Sequence, residues 1–186
     1  ILVCFTAIFP YLWMVLVSLK EKVFVYQPGV IFFKPTFENY INVFKTRGLG
    51  GYLINSVIIA SLNCIISLFL GSLTAYALAR YEFRNREKYA LLLTFIRILP
   101  AVASVIPIYV VAASLRILDT HGLLITVYLL FNIPFTVLMM RGFFEEIPVE
   151  IEEAAKVDGC TSLQLLTKIV IPLAKPGLVA TAIFCV

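Results

Sequence analysis

The chain has 186 residues, of which 61% are hydrophobic and only 14% charged. Soluble globular domains run at about 45–50% and roughly 25%, so a fold with a water-facing surface is excluded and the chain reads as an integral membrane protein. The net charge of +4 is modest and comes with no basic tail and no aromatic–basic interleaving, which argues against a nucleic-acid partner. Cys4, Cys64, Cys160 and Cys185 have no paired spacing, and three lie in apolar runs; inert thiols are expected rather than disulfides or metal ligands. Both ends fall inside apolar runs, so the chain is expected to be a fragment of a longer protein.

Crossing the hydrocarbon takes about 20 mostly apolar residues. Residues 1–19 form a first span, closed by Lys20, Glu21 and Lys22. Residues 20–50 are too polar to span; they carry Phe24, Tyr26, Phe32, Phe33, Phe37 and Tyr40, rings that suit a membrane–water interface. A second span covers 52–79 and stops sharply at the loop 80–88. The third covers 89–115 and the fourth 122–140; a charged segment, 141–175, follows, and 176–186 begin a fifth. Backbone groups in lipid must bond internally, and runs of this length are helices, since barrel strands are about ten residues long and alternate. The expected fold class is an all-α, polytopic helical membrane protein with one domain.

Lysine and arginine in short loops set orientation. Arg80, Arg84, Arg86 and Lys88 place the loop 80–88 in the cytoplasm, and Arg141, Lys156, Lys168 and Lys175 place 141–175 there too. The loop 116–121 holds only Arg116 and lies outside. Alternation then puts 20–50 outside, against its own Lys20, Lys22, Lys34, Lys45 and Arg47. Alternation prevails, because the rule weakens in longer loops and 80–88 is the denser cluster.

Within the second span, Ser56, Ala60, Asn63, Ser67, Gly71 and Thr74 recur every three or four residues. Such a face of small and polar side chains lets helices approach closely in lipid; the bland reading is a helix–helix seam, the sharper one a ligand-lining face. In the third span, Pro100 and Pro107 fall on nearly one side, and each removes a hydrogen bond and bends or interrupts the helix. Broken spans occur where transporters build pathways, and also where kinks serve packing alone. Arg97 stands near mid-span and should face a cavity, a carboxylate or a carbonyl rather than lipid, in a pathway or subunit contact, unless it snorkels to the cytoplasmic side. Asn132 and Pro134 are weaker candidates of the same kind.

The segment 141–175 reads as two short helices. Pro148 suits a first helical turn, "VEIEEAAKV" continues it, and Gly159 can take a left-handed stop. Thr161 or Ser162 can cap a second helix, "LQLLTKIVI", which Pro172 ends or kinks. Ala154 and Ala155 leave a shallow patch beside Glu152, Glu153 and Asp158 that can dock into a partner's groove. The alternative is a solvated helix held by Glu152–Lys156 and Glu153–Lys156 pairs, each worth about 0.2–0.5 kcal/mol.

Glu153-Ala154-Ala155, then Gly159, Ile169 and Ile171-Pro172 at their spacing, resemble the EAA loop of ABC importer permeases. Around them "PTFENYINVF", "RILPAVASVIPIY", "LDTHGLL", "IPF" and "RGFFEEIPVEIEEAAKVDG" resemble the carbohydrate-type, maltose-permease-like members, and the resemblance covers nearly the whole chain. Cys160 stands where a small residue such as alanine is common, and Ile171 where leucine is.

The resemblance implies a six-helix permease core, with about five spans present here. It implies pairing with a second permease, two cytoplasmic ATPases and an extracytoplasmic solute-binding protein, in a bacterial or archaeal inner membrane. Glu153, Ala154, Ala155, Asp158 and Gly159 would form the ATPase-coupling turn, and Ile169, Ile171 and Pro172 would join it to the next span. Arg97, Pro100, Pro107 and Asn132 are the candidates for the translocation pathway or a subunit contact. The chain has no G-x-x-x-x-G-K-[ST] loop and one histidine, His121, without a partner in sequence, so no catalytic or metal site is expected. ATP and magnesium would be bound by the partner ATPase and no cofactor by this chain. The rivals are an ion-coupled secondary transporter, which would want intramembrane carboxylates, an intramembrane enzyme, and a membrane scaffold without transport. Sugars, polyols and glycerol phosphates all remain open as cargo.

Overall fold

The computed structural model describes residues 2–27, 29–30 and 32–186. Every regular element among the described residues is helical, as the internal bonding of backbone in lipid requires. The chain forms two compact units, one up to Asn55 and one from Ser56.

The first unit holds α1 (Leu2–Ser18), α2 (Lys22–Val25) and α3 (Glu38–Thr46). The segment after α1 folds back onto that helix's end. Asn39 Nδ2 donates to the carbonyls of Ser18 and Lys20 at 3.0 and 2.6 Å, and the Thr36 N–H to that of Leu19 at 2.9 Å. Lys20 is fully buried. Its ammonium lies 5.8 Å from the Trp13 ring centroid and 5.5 Å from that of Phe33, and donates to the Gln27 carbonyl. Two ring faces take up the cation that water would otherwise solvate. Lys20 is therefore a packing element, unlike the exposed Lys22, Lys34 and Lys45.

The boundary falls inside α4 (Leu49–Arg80), most of which belongs to the second unit; α4 and α7 (His121–Glu145) are each long and apolar enough to cross a membrane. Between them α5 (Arg86–Ile98) and α6 (Ala101–Ser114) meet at a 92° bend. Leu99, ahead of Pro100, takes an extended ψ of 128°, and Pro100 precedes α6 as its N-cap. A residue before proline is driven out of the helical region, which makes this the breaking point. At Pro107 α6 runs on without interruption; a proline inside a helix deletes one rung of the ladder, and here the remaining rungs hold.

The helices α4 and α7 meet through small residues. Asn63, Ser67 and Gly71 are buried, as a helix–helix seam predicts, but Ser56 and Thr74 are exposed. Below Gly71 the seam continues on Ala75, four residues on, while Thr74 points away and its hydroxyl bonds back to the Leu70 carbonyl at 2.9 Å. The core lies at this end of the bundle. Ala75, Tyr76 and Leu78 pack with Val137, Met140 and Phe144, and with Leu166, Val170 and Ala174 from the segment that follows.

At Gly71 α4 lies tight against α7, because a Cβ there would fall on the Thr136 side chain. Gly71→Ala is expected to cost about 1–3 kcal/mol by overpacking and to lower the unfolding midpoint in detergent. Gly142→Ala, which meets open space in α7, should leave that midpoint unchanged or slightly higher.

Candidate functional site

The charged segment after α7 builds a helix–glycine–helix turn. Pro148 stands one position earlier than expected, as the N-cap of α8 (Val149–Val157). Glu150 and Glu152 lie in the first turn of α8 and Lys156 in its last, the order that the helix dipole favours. Gly159 adopts φ +85°, the Gly159 N–H bonds to the Lys156 carbonyl at 3.0 Å, and the Cys160 N–H bonds to the Ala155 carbonyl at 3.0 Å. These two bonds and the left-handed glycine form a Schellman stop, which satisfies the last carbonyls of the helix.

Thr161 then caps α9 (Ser162–Leu165). Its Oγ1 accepts from the Gln164 N–H at 3.4 Å, and the Gln164 side chain accepts from the Thr161 N–H at 2.9 Å. The chain continues through a widened π-helical turn, Leu166–Val170, into α10 (Ile171–Leu173). Pro172 falls one residue before the end of this helix at Leu173, close to the expected stop. The wider turn ahead of it absorbs the missing N–H and the bulk of the ring, and the 79° change of direction comes at Ala174, before α11 (Lys175–Cys185).

Burial divides the segment sharply. Glu153, Ala154, Asp158 and Gly159 are exposed, and Pro172 is exposed; Ile169 and Ile171 are half-buried. Ala155 is buried, so the patch expected from the adjacent alanines is carried by Ala154 alone. The reason is helical geometry, since neighbouring residues point about 100° apart. Val157, 88% exposed, and Leu163 flank the glycine turn as uncovered apolar side chains. Sequence reading passed over both, because isolated apolar residues on a short helix carry no periodic signal.

Glu152 was expected on the surface beside Lys156, and the structure overturns this. It is only 2% exposed, and its Oε1 receives Arg80 Nε at 2.5 Å while its Oε2 receives the Tyr76 hydroxyl at 2.8 Å. Arg80, the last residue of α4, also donates from Nη2 to the carbonyls of Phe144 and Ile147, both at 2.7 Å. One guanidinium thus joins the end of α4, the end of α7 and the first turn of α8. No spacing in the sequence joins these residues to one another across the fold; two local ones set them up. Tyr76 and Arg80 are four apart on one face of α4, and Glu152 and Ala155 are three apart on one face of α8.

Beside this, Arg141 contacts Glu145 at 2.7 Å and Glu87 at 3.1 Å, and Arg86 approaches Glu145 at 3.6 Å. The loop 80–88 and the start of 141–175 therefore share one end of the bundle.

The four pathway candidates do not converge on one site. The Arg97 guanidinium lies over the Phe135 ring, 4.6 Å from its centroid, and Phe135 meets Phe184 edge-on at 5.9 Å. An aromatic face has taken the place expected for a carboxylate or carbonyl. Asn132 Nδ2 donates to the Cys185 carbonyl at 3.1 Å and lies 3.4 Å from Asn63 Oδ1, which accepts from Ser67 Oγ at 3.0 Å. Asn132 borders a groove of mixed lining, about 450 Å³, with Ser56, Asn63 and Tyr128. Pro107 lines a different, apolar groove of about 630 Å³ with Ile96, Leu130 and Pro134. Pro100 is exposed at the bend.

The family profile described as binding-protein-dependent transport system inner membrane component matches residues 67–186. A probable ABC transporter permease protein, y4oR, of Sinorhizobium fredii is 36% identical over 97% of this chain and 65% of its own length. The trehalose transport system permease protein SugB of Mycobacterium tuberculosis is 36% identical over 95% of this chain and 65% of its own. The trehalose/maltose permease MalG of Thermococcus litoralis is 31% identical over 98% of the chain and 66% of its own. A solved bacterial ABC transporter, involved in import of the acidic polysaccharide alginate, has a chain that superposes with a TM-score of 0.69 at 26% identity. The match covers 99% of this chain and 65% of that one. The chain thus spans about two thirds of the length of these relatives.

The glycine stop yields a local test. A left-handed conformation costs an L-residue about 1–2 kcal/mol, least for asparagine. Gly159→Val is therefore expected to lower the protection of the Cys160 amide against hydrogen exchange, measured relative to its intrinsic rate, while Gly159→Asn leaves it close to the native level.

Proposed function

The chain belongs to the binding-protein-dependent transport system inner membrane components, and we propose that it serves as one permease subunit of an ATP-driven sugar importer. The observation that carries this is the turn after α8. It presents Glu153, Ala154, Asp158 and Gly159 outward, while Glu152, Ala155, Leu165 and Leu166 hold its base in the core. An exposed turn whose base is packed into the core at one end of a helical bundle is suited to receive a push from a partner. That partner is a cytoplasmic ATPase, and each of two copies would engage one permease of a pair.

ATP and magnesium belong to the ATPase on this reading; the permease contributes no chemistry and only moves. A solute-binding protein would deliver cargo at the opposite face, and the whole would sit in a bacterial or archaeal inner membrane as a multi-pass assembly. Relatives named for trehalose, trehalose/maltose and diacetylchitobiose support sugars as the cargo class. Arg97, Pro100, Pro107 and Asn132 belong to the pathway or to the contact with the second permease. The bend at Pro100 supports this for Arg97, because a cation near mid-membrane is stable only against protein, water or cargo.

Two measurements on the complex test the reading. Glu153→Lys is expected to weaken capture of the ATPase by roughly tenfold, the equivalent of about 1.4 kcal/mol, with the chain still inserted; native capture and native uptake would sink the docking role. Arg97→Leu is expected to reduce uptake in reconstituted vesicles while the ATPase stays bound. Uptake at the native rate would remove Arg97 from the pathway and from the subunit contact.

A further inference from the structure

We propose that Arg80, Glu152 and Tyr76 form a fixed joint that makes α8 and the adjoining ends of α4 and α7 move as one body when the ATPase pushes on the turn. This rests on the importer reading and says where the applied motion goes.

Covalently, α8 hangs from α7 by Glu146, Ile147 and Pro148 alone. A link of that length is a natural hinge, and a helix pushed on its outer face would pivot there and dissipate the stroke. Arg80 closes the hinge on both sides. Its Nη2 binds the carbonyls of Phe144, in the last turn of α7, and of Ile147, in the link; its Nε binds Glu152, in the first turn of α8. The guanidinium is planar with its donors in a fixed fork, so these three acceptors are held in one plane relative to one another.

The carboxylate is equally constrained. Oε1 is taken by Arg80 and Oε2 by the Tyr76 hydroxyl, so it cannot rotate without losing a partner. Tyr76 is itself held by edge-on contacts with Phe144 and Tyr81, each at 6.0 Å. Glu152 is 2% exposed and the Arg80 side chain 10%, so opening the pair would strand a charge out of water. A joint of this kind carries load rather than yielding.

The attachment joins residues 72 apart in sequence and gives α8 a second anchor, on α4. Two anchors convert a push on Glu153 and Ala154, which adjoin Glu152, into displacement of two membrane helices. Arg80, Glu152 and Tyr76 are positioning residues; none of them is placed on the exposed docking face.

The test uses the full-length chain assembled with its partner permease, ATPase and binding protein in proteoliposomes, and reads solute moved per ATP hydrolysed. Glu152→Gln and Arg80→Met are expected to keep the ATPase bound and hydrolysing while solute per ATP falls about tenfold, within the usual range of coupling between sites. Arg80→Lys, which keeps the charge and loses the fork, should fall less, and the exchanged pair Arg80→Glu/Glu152→Arg should recover part of the loss. Spin labels at Lys156 and Glu82, both exposed, report on the joint without altering it. Their separation should be the same with and without ATP. A separation that changes with nucleotide would overturn the joint. So would variants that only express or melt less well while solute per ATP stays native. A native preparation that brings down no ATPase would instead overturn the importer reading, and the joint with it.

Discussion

The arrangement of this chain turns on one cation. Arg80 ends the long helix α4 at the point where apolar sequence gives way to charge, and it is nine-tenths buried there. A guanidinium cannot shed its proton, so burial obliges it to find acceptors. It finds the carbonyl of Phe144 in the last turn of α7, that of Ile147 in the link, and the carboxylate of Glu152. The end of one helix is thereby capped by the end of another, and the place of α8 is decided by charge pairing rather than by its short link to α7. The core described by Tyr76, Met140, Phe144, Leu166 and Val170 closes around this point.

A second constraint is the close approach of α4 to α7. In lipid there is no hydrophobic gain in bringing two apolar helices together, so contact must come from shape and from hydrogen bonds. Gly71 supplies the shape, by letting Thr136 lie against the backbone of α4. Asn63, Ser67 and Asn132 supply the bonds, and the last of these also reaches the carbonyl of Cys185 in α11. Small residues and amides thus tie three helices together, and the larger apolar side chains of α4, such as Phe69 and Leu70, are left on the outside. The broken third segment follows a different logic. Proline ends α5 at mid-course, and Arg97, placed just before the break, lies over the Phe135 ring, which Phe184 meets edge-on.

The helix–glycine–helix turn gains its meaning from the contrast between its two faces. The inward side carries a buried ion pair and packed leucines; the outward side carries Glu153, Ala154, Asp158 and a left-handed glycine stop. An exposed surface backed by packed and ion-paired side chains is what a mechanical contact needs. The family to which the chain belongs is described as binding-protein-dependent, and the two-sided build of this segment suits the docking role proposed for it.

Much of this was legible in the residues. Composition and run length were enough for an all-helical membrane protein, and the proline, glycine and threonine of 148–161 marked the helix starts and stops of the turn, because caps and left-handed stops are local choices with local signatures. The spacing of Glu153, Ala154, Ala155 and Gly159 was enough for the family. Other features were out of reach. Glu152 read as one more surface acid, Ala155 as half of a patch, and Lys20 as one more loop cation, yet each is buried. Burial of a charged side chain depends on a partner that arrives from elsewhere in the chain, Arg80 across 72 residues in one case and two aromatic rings in the other. The sequence by itself therefore determined which segments are helical and where they start and stop. Only the tertiary structure decided which charges are sealed inside and what they hold together, because such pairing is a property of helices in contact and leaves no periodic mark on any one of them.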